Sequence, residues 1–513
     1  MALPRLYNTL TRQLEPLEPR TPGKVGIYCC GPTVYDVPHA GHARPAVAFD
    51  VLVRHLRMKG LEVEYVRNIT DVDDKILQRA KETGVSPTAL SSQMAQIYEE
   101  TYRAIGCLDP SHQPKVSAHI PDVVALIERL VERKAAYVVE RGDGRTDVYF
   151  SVRSFEGYGK LSRRRIDELI AGARVDPGDV KRDPLDFALW KGEPPDAWGW
   201  DSPWGHGRPG WHIECSAMCT RYLGHGFDVH GGGMDLIFPH HENEIAQSEA
   251  AEPDAGPFAR IWMHNGFINV DKEKMSKSLG NFVTIRDVLE RNDAEAFRWF
   301  LLTVHYRGPI QFETEKLPDG RVVFPGVDEA ERRVDYVYTA ARRLRELTDT
   351  GVTVSGRIPP EIAAFRDAAE RAGREAEAAL DDDLNTPVAL AALGEIARHA
   401  NELCDLAQKR RKDASVLGAA AIVSHAIGSE LGRVAERLGL LIASPEAYAA
   451  RTRALRLRLR GLSPDDIDRK VAERAEARQN KDFARSDAIR AELDALGVSL
   501  RDAPGGSEWT IGV

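Results

Sequence analysis

Cysteine is scarce in this sequence: six residues in 513, at positions 29, 30, 107, 215, 219 and 404. So few thiols, so widely spaced, exclude the disulfide framework of a small secreted domain and leave core thiols, metal ligands or redox groups. Long apolar runs are missing too. No stretch approaches the ~18 uninterrupted apolar residues of a membrane helix, and Met1-Ala2-Leu3-Pro4-Arg5 lacks the apolar core of a secretory signal. A cytoplasmic protein without a membrane partner is expected. An excess of positive charge is also absent. The formal net charge of −9 argues against non-specific polyanion binding by the whole chain, although Lys409-Arg410-Arg411-Lys412 and the arginines at 451, 453, 456, 458 and 460 leave room for a local basic face. Internal repeats and low-complexity tracts are not found.

What is present is an ordinary globular composition, 43% hydrophobic and 29% charged, long enough for roughly three or four domains of ~150 residues. Val25–Cys30, ended by Gly31-Pro32, reads as a buried strand. Apolar residues at Val47, Phe49, Leu52, Val53 and Leu56 mark a helix stopped by Gly60, and Val63–Ile69 is the next strand. Strand–helix–strand in this order is a right-handed parallel unit of a doubly wound sheet. Tyr137–Val139 and Val148–Phe150 flank Gly142-Asp143-Gly144 as a hairpin, at the start of a Pro/Gly/Trp-rich insertion. The parallel fold resumes at Trp211 with a strand Phe227–His230. From ~325 to ~440 the helical spacing, broken at Pro359-Pro360 and Pro387, predicts a helical bundle. Shorter helices follow Pro445, and Val498–Leu500 with Glu508–Ile511 predicts a small hairpin. The expected fold class is α/β: a split Rossmann-like parallel sheet with an inserted domain, then the bundle and a small C-terminal α+β unit.

Two short strings carry nucleotide chemistry. His39-Ala40-Gly41-His42 follows a strand and loop and opens a helix, where free N–H groups and the positive dipole end suit a triphosphate. Lys274-Met275-Ser276-Lys277-Ser278, followed by Gly280, is a cationic loop; lysine offers a compact charge able to follow a departing pyrophosphate. Four possible metal ligands are threaded between them: Cys30, Cys215, His240 and Glu244. Thiolate, imidazole and carboxylate form a donor set that zinc favours. Cys29 has the opposite strand parity and should face the sheet packing. His240 and Glu244, four apart after Pro239, share one helical face. The residues alone leave Cys219 open as a rival to Cys215, and His241 as a rival to His240.

The two strings are those of the class I aminoacyl-tRNA synthetases, which the chain resembles. Longer ones narrow the resemblance to the cysteinyl-tRNA synthetase family: Tyr28–Asp36, Arg67–Lys75, Pro209–Ser216, and His230–Asp235 through Pro239–Glu244. The likeness runs from the first strand to the Asp502–Trp509 tail. It implies a two-step ligase that activates L-cysteine with ATP, accompanied by Mg²⁺, to the adenylate and then transfers it to the 3′ end of tRNA(Cys). It implies one Zn²⁺ per chain on Cys30, Cys215, His240 and Glu244, selecting the substrate as thiolate, a property that serine, alanine and valine lack. Four protein ligands normally signal a closed structural zinc, so selection requires an added ligand or a loosened one.

His39, His42, Lys274 and Lys277 are then the catalytic group. ATP contacts come from these with Ser276 and Gly231, Gly232 and Gly233. Thr70 and Asp235 would hold the amino acid, walled by Trp211 and His230. The acidic run Asp71–Asp74 is expected to be structural rather than magnesium-binding. The implied division is 1–130 and 209–270 for the halves of the catalytic domain, 131–208 for the connective insertion, 271–326 for the signature-loop and stem-contact region, 327–445 for the tRNA-binding bundle and 446–513 for the anticodon reader, with Trp509 a candidate stacking residue. A monomer is expected. Three departures stand out: the small Ala40, the extra thiol Cys29, and an added loop at 318–326. The rival functions are cysteine ligation to an amino sugar and non-catalytic RNA binding.

Overall fold

The computed structural model describes residues 3–165, 180–270, 273–274, 282–318, 320–349, 358–503 and 506–513. Four parallel strands form its centre: β1 Lys24–Cys29, β2 Glu62–Arg67, β3 Phe227–Gly233 and β4 Ala259–Asn265, in the order β4-β3-β1-β2. Helix α1, Ala40–Met58, joins β1 to β2, as the periodicity requires. The doubly wound α/β architecture read from the sequence is the observed one. β1 has β2 on one side and β3, from the other half of the split fold, on the other. Its C-terminal end is therefore the switch point where such sheets bind ligands.

β3 runs past the expected Phe227–His230 through Gly231–Gly233, which pair with Met263–Asn265 of β4. A Cβ at Gly231 would lie 1.8 Å from the Met263 carbonyl oxygen, so only glycine continues the strand there.

Strand alternation separates two cores. Ile27, Cys29, Val63, Tyr65, Val229 and Met263 pack with α1 in a core continuous with the bundle. Tyr28, Cys30, Val66 and Trp262 pack on the opposite side, with helices α2, Trp211–Leu223, and α3, Glu242–Ala251. The insertion is an antiparallel sheet of Ala136–Glu140, Thr146–Phe150, Phe187–Gly192 and Gly207–Pro209, beginning with the expected hairpin. Asp74 fastens it, accepting from Lys191 at 2.6 Å and Arg208 at 2.9 Å.

The second half of the chain is helical: α4 Ala294–Leu302, α5 Pro325–Thr348, α6 Pro360–Asp381, α7 Thr386–Lys409 and α8 Ala414–Leu438. Proline occupies the first turn of α5, α6 and α7, where its missing N–H costs nothing. α8 is long and apolar enough to cross a membrane by length and composition, but Val416, Val423, Ile427, Leu431, Val434 and Leu438 belong to the bundle core. α1 is fixed to this half at two levels. Asp50 pairs with Arg298 of α4, whose Nε donates to the Leu438 carbonyl at 2.7 Å. At the far end, His55 Nε2 and Lys59 Nζ meet Asp381 of α6 at 2.9 and 2.8 Å.

Three further helices, Pro445–Arg460, Pro464–Gln479 and Phe483–Ala495, lead to the antiparallel hairpin Val498–Ala503 with Gly506–Ile511. Trp509 is not a displayed stacking residue. It is buried with Leu457, Ile467, Ile489, Leu493, Val498 and Ile511. Its indole N–H donates to Asp468 at 2.6 Å and Arg453 covers its ring at 3.5 Å, because a large ring is the best filler for so small a core. The stretch 318–326, expected as a loop, is partly regular: Val322–Val323 pairs with Glu315–Lys316, Pro325-Gly326 opens α5, and Arg321 reaches the Leu459 carbonyl at 3.1 Å.

Candidate active site and metal centre

His39 is the N-cap of α1, and it makes a capping box from imidazoles. Its Nδ1 accepts from the Gly41 N–H at 3.1 Å, while His42 Nδ1 accepts from the His39 N–H at 3.2 Å. An Nδ1 that accepts is unprotonated, which leaves Nε2 as the donor position of each ring. Both histidines line a cleft of about 310 Å³ above the sheet. The Tyr98 hydroxyl lies 3.2 Å from His42 Nδ1, a support that no local pattern announces. Ala40 is fully buried, so its small size is absorbed by packing.

The second signature falls largely outside the described residues. Met275, Ser276, Lys277, Ser278 and Gly280 lie there, as does the Lys274 side chain. Its two flanks are described. Lys274 pairs with Asn269 through the backbone. Beyond the loop, the Phe282 ring packs 4.9 Å from the His39 ring, and Val283 accepts from the Ala40 N–H at 3.0 Å. The chain thus returns from the second signature directly onto the first.

Cys30, Cys215, His240 and Glu244 come together at the other end of the cleft, all buried, with their donor atoms within 4.8 Å of one another. Cys30 follows β1, Cys215 lies in the second turn of α2, and His240 and Glu244 flank the start of α3. The two helices are held in register by Gln247, which donates to the His212 carbonyl at 3.0 Å and the Ser216 hydroxyl at 2.9 Å. Cys30 Sγ is 3.7 Å from Cys215 Sγ and 3.5 Å from Glu244 Oε1; His240 Nε2 is 3.0 Å from Glu244 Oε1. This group is able to hold a metal ion. Cys219 is excluded from it and faces His230 at 3.8 Å.

A second combination, Cys30, His230, His241 and Glu244, is equally compact. Within it His230 Nε2 meets Glu244 Oε2 at 2.7 Å, whereas His241 also has a partner outside, its Nδ1 meeting His264 Nε2 at 2.7 Å. His264 Nδ1 in turn meets Thr9 Oγ1 at 2.8 Å. Burial holds both His241 and His264 below their ordinary range, His264 at about 3. Two neutral rings in series can pass a donor direction from Thr9 toward Cys30 Sγ, which lies 3.3 Å from His241 Nε2.

Electrostatics mark the first quartet. The hydrogen bond from Cys30 is the main cause that brings the Cys215 thiol down to about 6, while burial pushes Cys30 up; the pair shares one proton. Burial works against the Glu244 carboxylate, but His230 and His240 outweigh it and hold it well below the usual range. Burial likewise opposes charge on His240, yet Glu244 and Cys215 raise it to about 10. Thiolate and carboxylate fixed side by side in a dry site call for a cation.

The remaining site residues divide. Thr70, Trp211, Gly233 and Asp235 line the cleft, and the Trp211 ring stacks on His240 at 4.4 Å. His230 does not wall the cleft: it is fully buried beneath the quartet, stacked on Trp262 at 4.5 Å, because β3 continues past it through Gly233 and keeps it within the strand, on the face it shares with its partner Tyr28. Gly231 and Gly232 also lie below, against Met263 and Leu236. The acidic run is occupied structurally. Asp71 binds the Ser117 N–H at 3.0 Å, Asp73 caps a helix at Lys75 N, 2.8 Å, and Asp74 anchors the insertion.

Residues 16–321 match the tRNA synthetases class I (C) catalytic domain, residues 375–441 the DALR domain, and residues 460–509 the cysteinyl-tRNA ligase anticodon binding domain. Cysteine–tRNA ligase of Anaeromyxobacter sp. strain K is 50% identical over 511 residues, covering 99% of each chain. The chain belongs to the cysteinyl-tRNA synthetase family. The ligase of Syntrophotalea carbinolica is 45% identical over 505 residues, covering 98% of this chain and 99% of its own. Among solved structures, Mycobacterium tuberculosis methionyl-tRNA synthetase with methionyl-adenylate aligns with a TM-score of 0.61 at 17% identity, covering 86% of this chain and 94% of that one. At that identity the likeness concerns the fold alone, the class I fold that the family shares.

Proposed function

We propose that this chain is a cysteine–tRNA ligase that activates L-cysteine with ATP and transfers it to tRNA(Cys), with a zinc ion on Cys30, Cys215, His240 and Glu244 choosing the amino acid. The observation that carries the reading is one cleft with the metal-binding quartet at one end and the imidazole-capped helix start at the other. The spacings support zinc. A tetrahedral zinc with bonds of about 2.3 Å to sulfur and about 2.0 Å to oxygen puts two sulfurs roughly 3.8 Å apart and sulfur and oxygen roughly 3.5 Å apart, against 3.7 and 3.5 Å here. When bound, it supplies a soft Lewis acid that prefers a thiolate to a hydroxyl or methyl group.

The protein's own contribution is positioning and charge. His39 and His42 direct Nε2–H donors and a helix N-terminus at the phosphates, where charge develops as the carboxylate attacks the α-phosphorus. Lys274 and Lys277, with Ser276, accompany the leaving pyrophosphate, and ATP enters as its Mg²⁺ complex. Thr70 and Asp235 orient the amino acid, Trp211 closes over it, and Gly233 admits the adenosine. The bundle over 327–445 supports the tRNA and residues 446–513 read its anticodon, on a chain acting as a monomer in the cytoplasm. Cysteine-dependent ATP–pyrophosphate exchange, with serine and alanine as competitors and metal content measured in parallel, tests the reading. Exchange that ignores cysteine, or activity without zinc, overturns it.

A further inference from the structure

Arg67 ends β2 beside Cys29, its register partner on β1, and so lies one residue across from Cys30. It is 4% exposed and lines the cleft together with Thr70, Lys75 and Tyr102. Among the described residues, every other strongly buried arginine of the catalytic half has a designated acceptor. Arg298 has Asp50, Arg208 has Asp74 and Glu193, and Arg44 has backbone carbonyls including His305 at 2.7 Å. Arg67 has none. Its Nε and Nη1 are buried without a hydrogen-bond partner, and among the described residues it makes no ion pair. Its guanidinium sits over the Tyr102 ring at 4.5 Å and near Tyr65 at 5.9 Å. Burial opposes its charge, and burial also raises both phenols and the nearby thiols of Cys29 and Cys107, so none of them supplies a counter-charge.

A guanidinium stays charged in proteins, and a buried charge without a counter-ion is costly. Aromatic faces offset part of that cost, but they satisfy no N–H. A cation held this way in a substrate cleft is a preorganised anion site, with a planar fork suited to carboxylate or phosphate oxygens.

We infer that Arg67 is a substrate-binding residue that receives an anionic group of the reactants, the cysteine carboxylate or the α-phosphate it attacks. This rests on the ligase reading above. Both sources offer paired oxygens at the point where the mixed anhydride forms, between the metal quartet and the His39–His42 helix start.

The test is the full-length, zinc-loaded enzyme carrying Arg67→Met or Arg67→Lys, assayed by pyrophosphate exchange, with cysteamine (which lacks the carboxylate) as a competitive probe. Melting temperature and zinc content are recorded for each. A carboxylate contact raises KM for cysteine tenfold or more in the Met variant, leaving the cysteamine inhibition constant and KM for ATP within twofold. A phosphate contact instead raises KM for ATP tenfold or more and leaves cysteine alone. Either outcome supports the inference. If Arg67→Met does not fold, Arg67→Lys is decisive, because it keeps the charge and loses the fork; at least a threefold rise in one of the two KM values is expected. A folded variant with both KM values within twofold of wild type overturns the inference. Absence of cysteine-dependent exchange in the wild type would instead overturn the ligase reading.

Discussion

Cys29 and Cys30 are neighbours in the chain and both are buried, yet they belong to different chemical worlds. Cys29 faces α1 among apolar side chains, and burial pushes its thiol up to about 12. Cys30 faces α2 and α3 and shares its proton with Cys215, 3.7 Å away, in reach of a carboxylate and two imidazoles. Depth below the surface is nearly the same. What differs is the set of groups on each side of the pleat, and strand parity alone assigns it. Burial makes a thiol inert; burial beside thiolate, carboxylate and imidazole makes it a ligand.

The contrast is broken most severely at the ligand itself. Cys30→Ser should remove bound zinc and lower cysteine-dependent pyrophosphate exchange by more than about 100-fold, beyond the 10–100-fold expected for losing a supporting partner; metal analysis with exchange kinetics checks it. The pH dependence comes next. Cys30, raised by burial, and His240, raised to about 10, both hold protons at neutral pH, whereas Cys215 at about 6 has lost its own. Zinc must displace those two protons, so affinity rises with pH, by about 100-fold per unit between roughly 7 and 8, and falls still more steeply below about 6. Chelator competition at several pH values reads the slope, and a flat profile would refute the ligand set. A smaller effect is expected from His264→Ala, which cuts the Thr9–His264–His241 series: about tenfold weaker zinc binding with the quartet intact. The smallest belongs to the other thiol. Cys29→Ala should change exchange less than about threefold and cost about 1 kcal/mol of stability by trimming a packed side chain, measured by denaturant unfolding. A large catalytic loss there would erase the distinction between the two faces.

Much of this was legible in the sequence because it is local. The Val25–Cys30 strand, the helix opened by His39, the Gly142-Asp143-Gly144 hairpin and the proline-started bundle helices each carry their period or turn chemistry within a few residues. The parity of Cys29 against Cys30 is of the same kind. The misreadings share the opposite character. His230 was expected in the cleft wall and lies under Glu244, because the strand continues through three glycines that look like a loop. Trp509 was a candidate for stacking on bases and instead fills a core that reaches back to Leu457 of a distant helix. Tyr98, His264 and Thr9 gave no signal as partners, and Arg67 stood only at the head of a family string with no role of its own, since their meaning depends on what the fold sets opposite them.

One feature of the scaffold reaches further than the cleft. α1 is 19 residues long, roughly 28 Å at 1.5 Å per residue. One end is the imidazole cap at the nucleotide site; the other is locked to α6 through His55, Lys59 and Asp381, with Arg298 gripping its middle. Such a rod acts as a strut. The bundle cannot tilt against the sheet without carrying His39 and His42 along, so the geometry at the reacting phosphate and the seating of the helical half are a single mechanical variable.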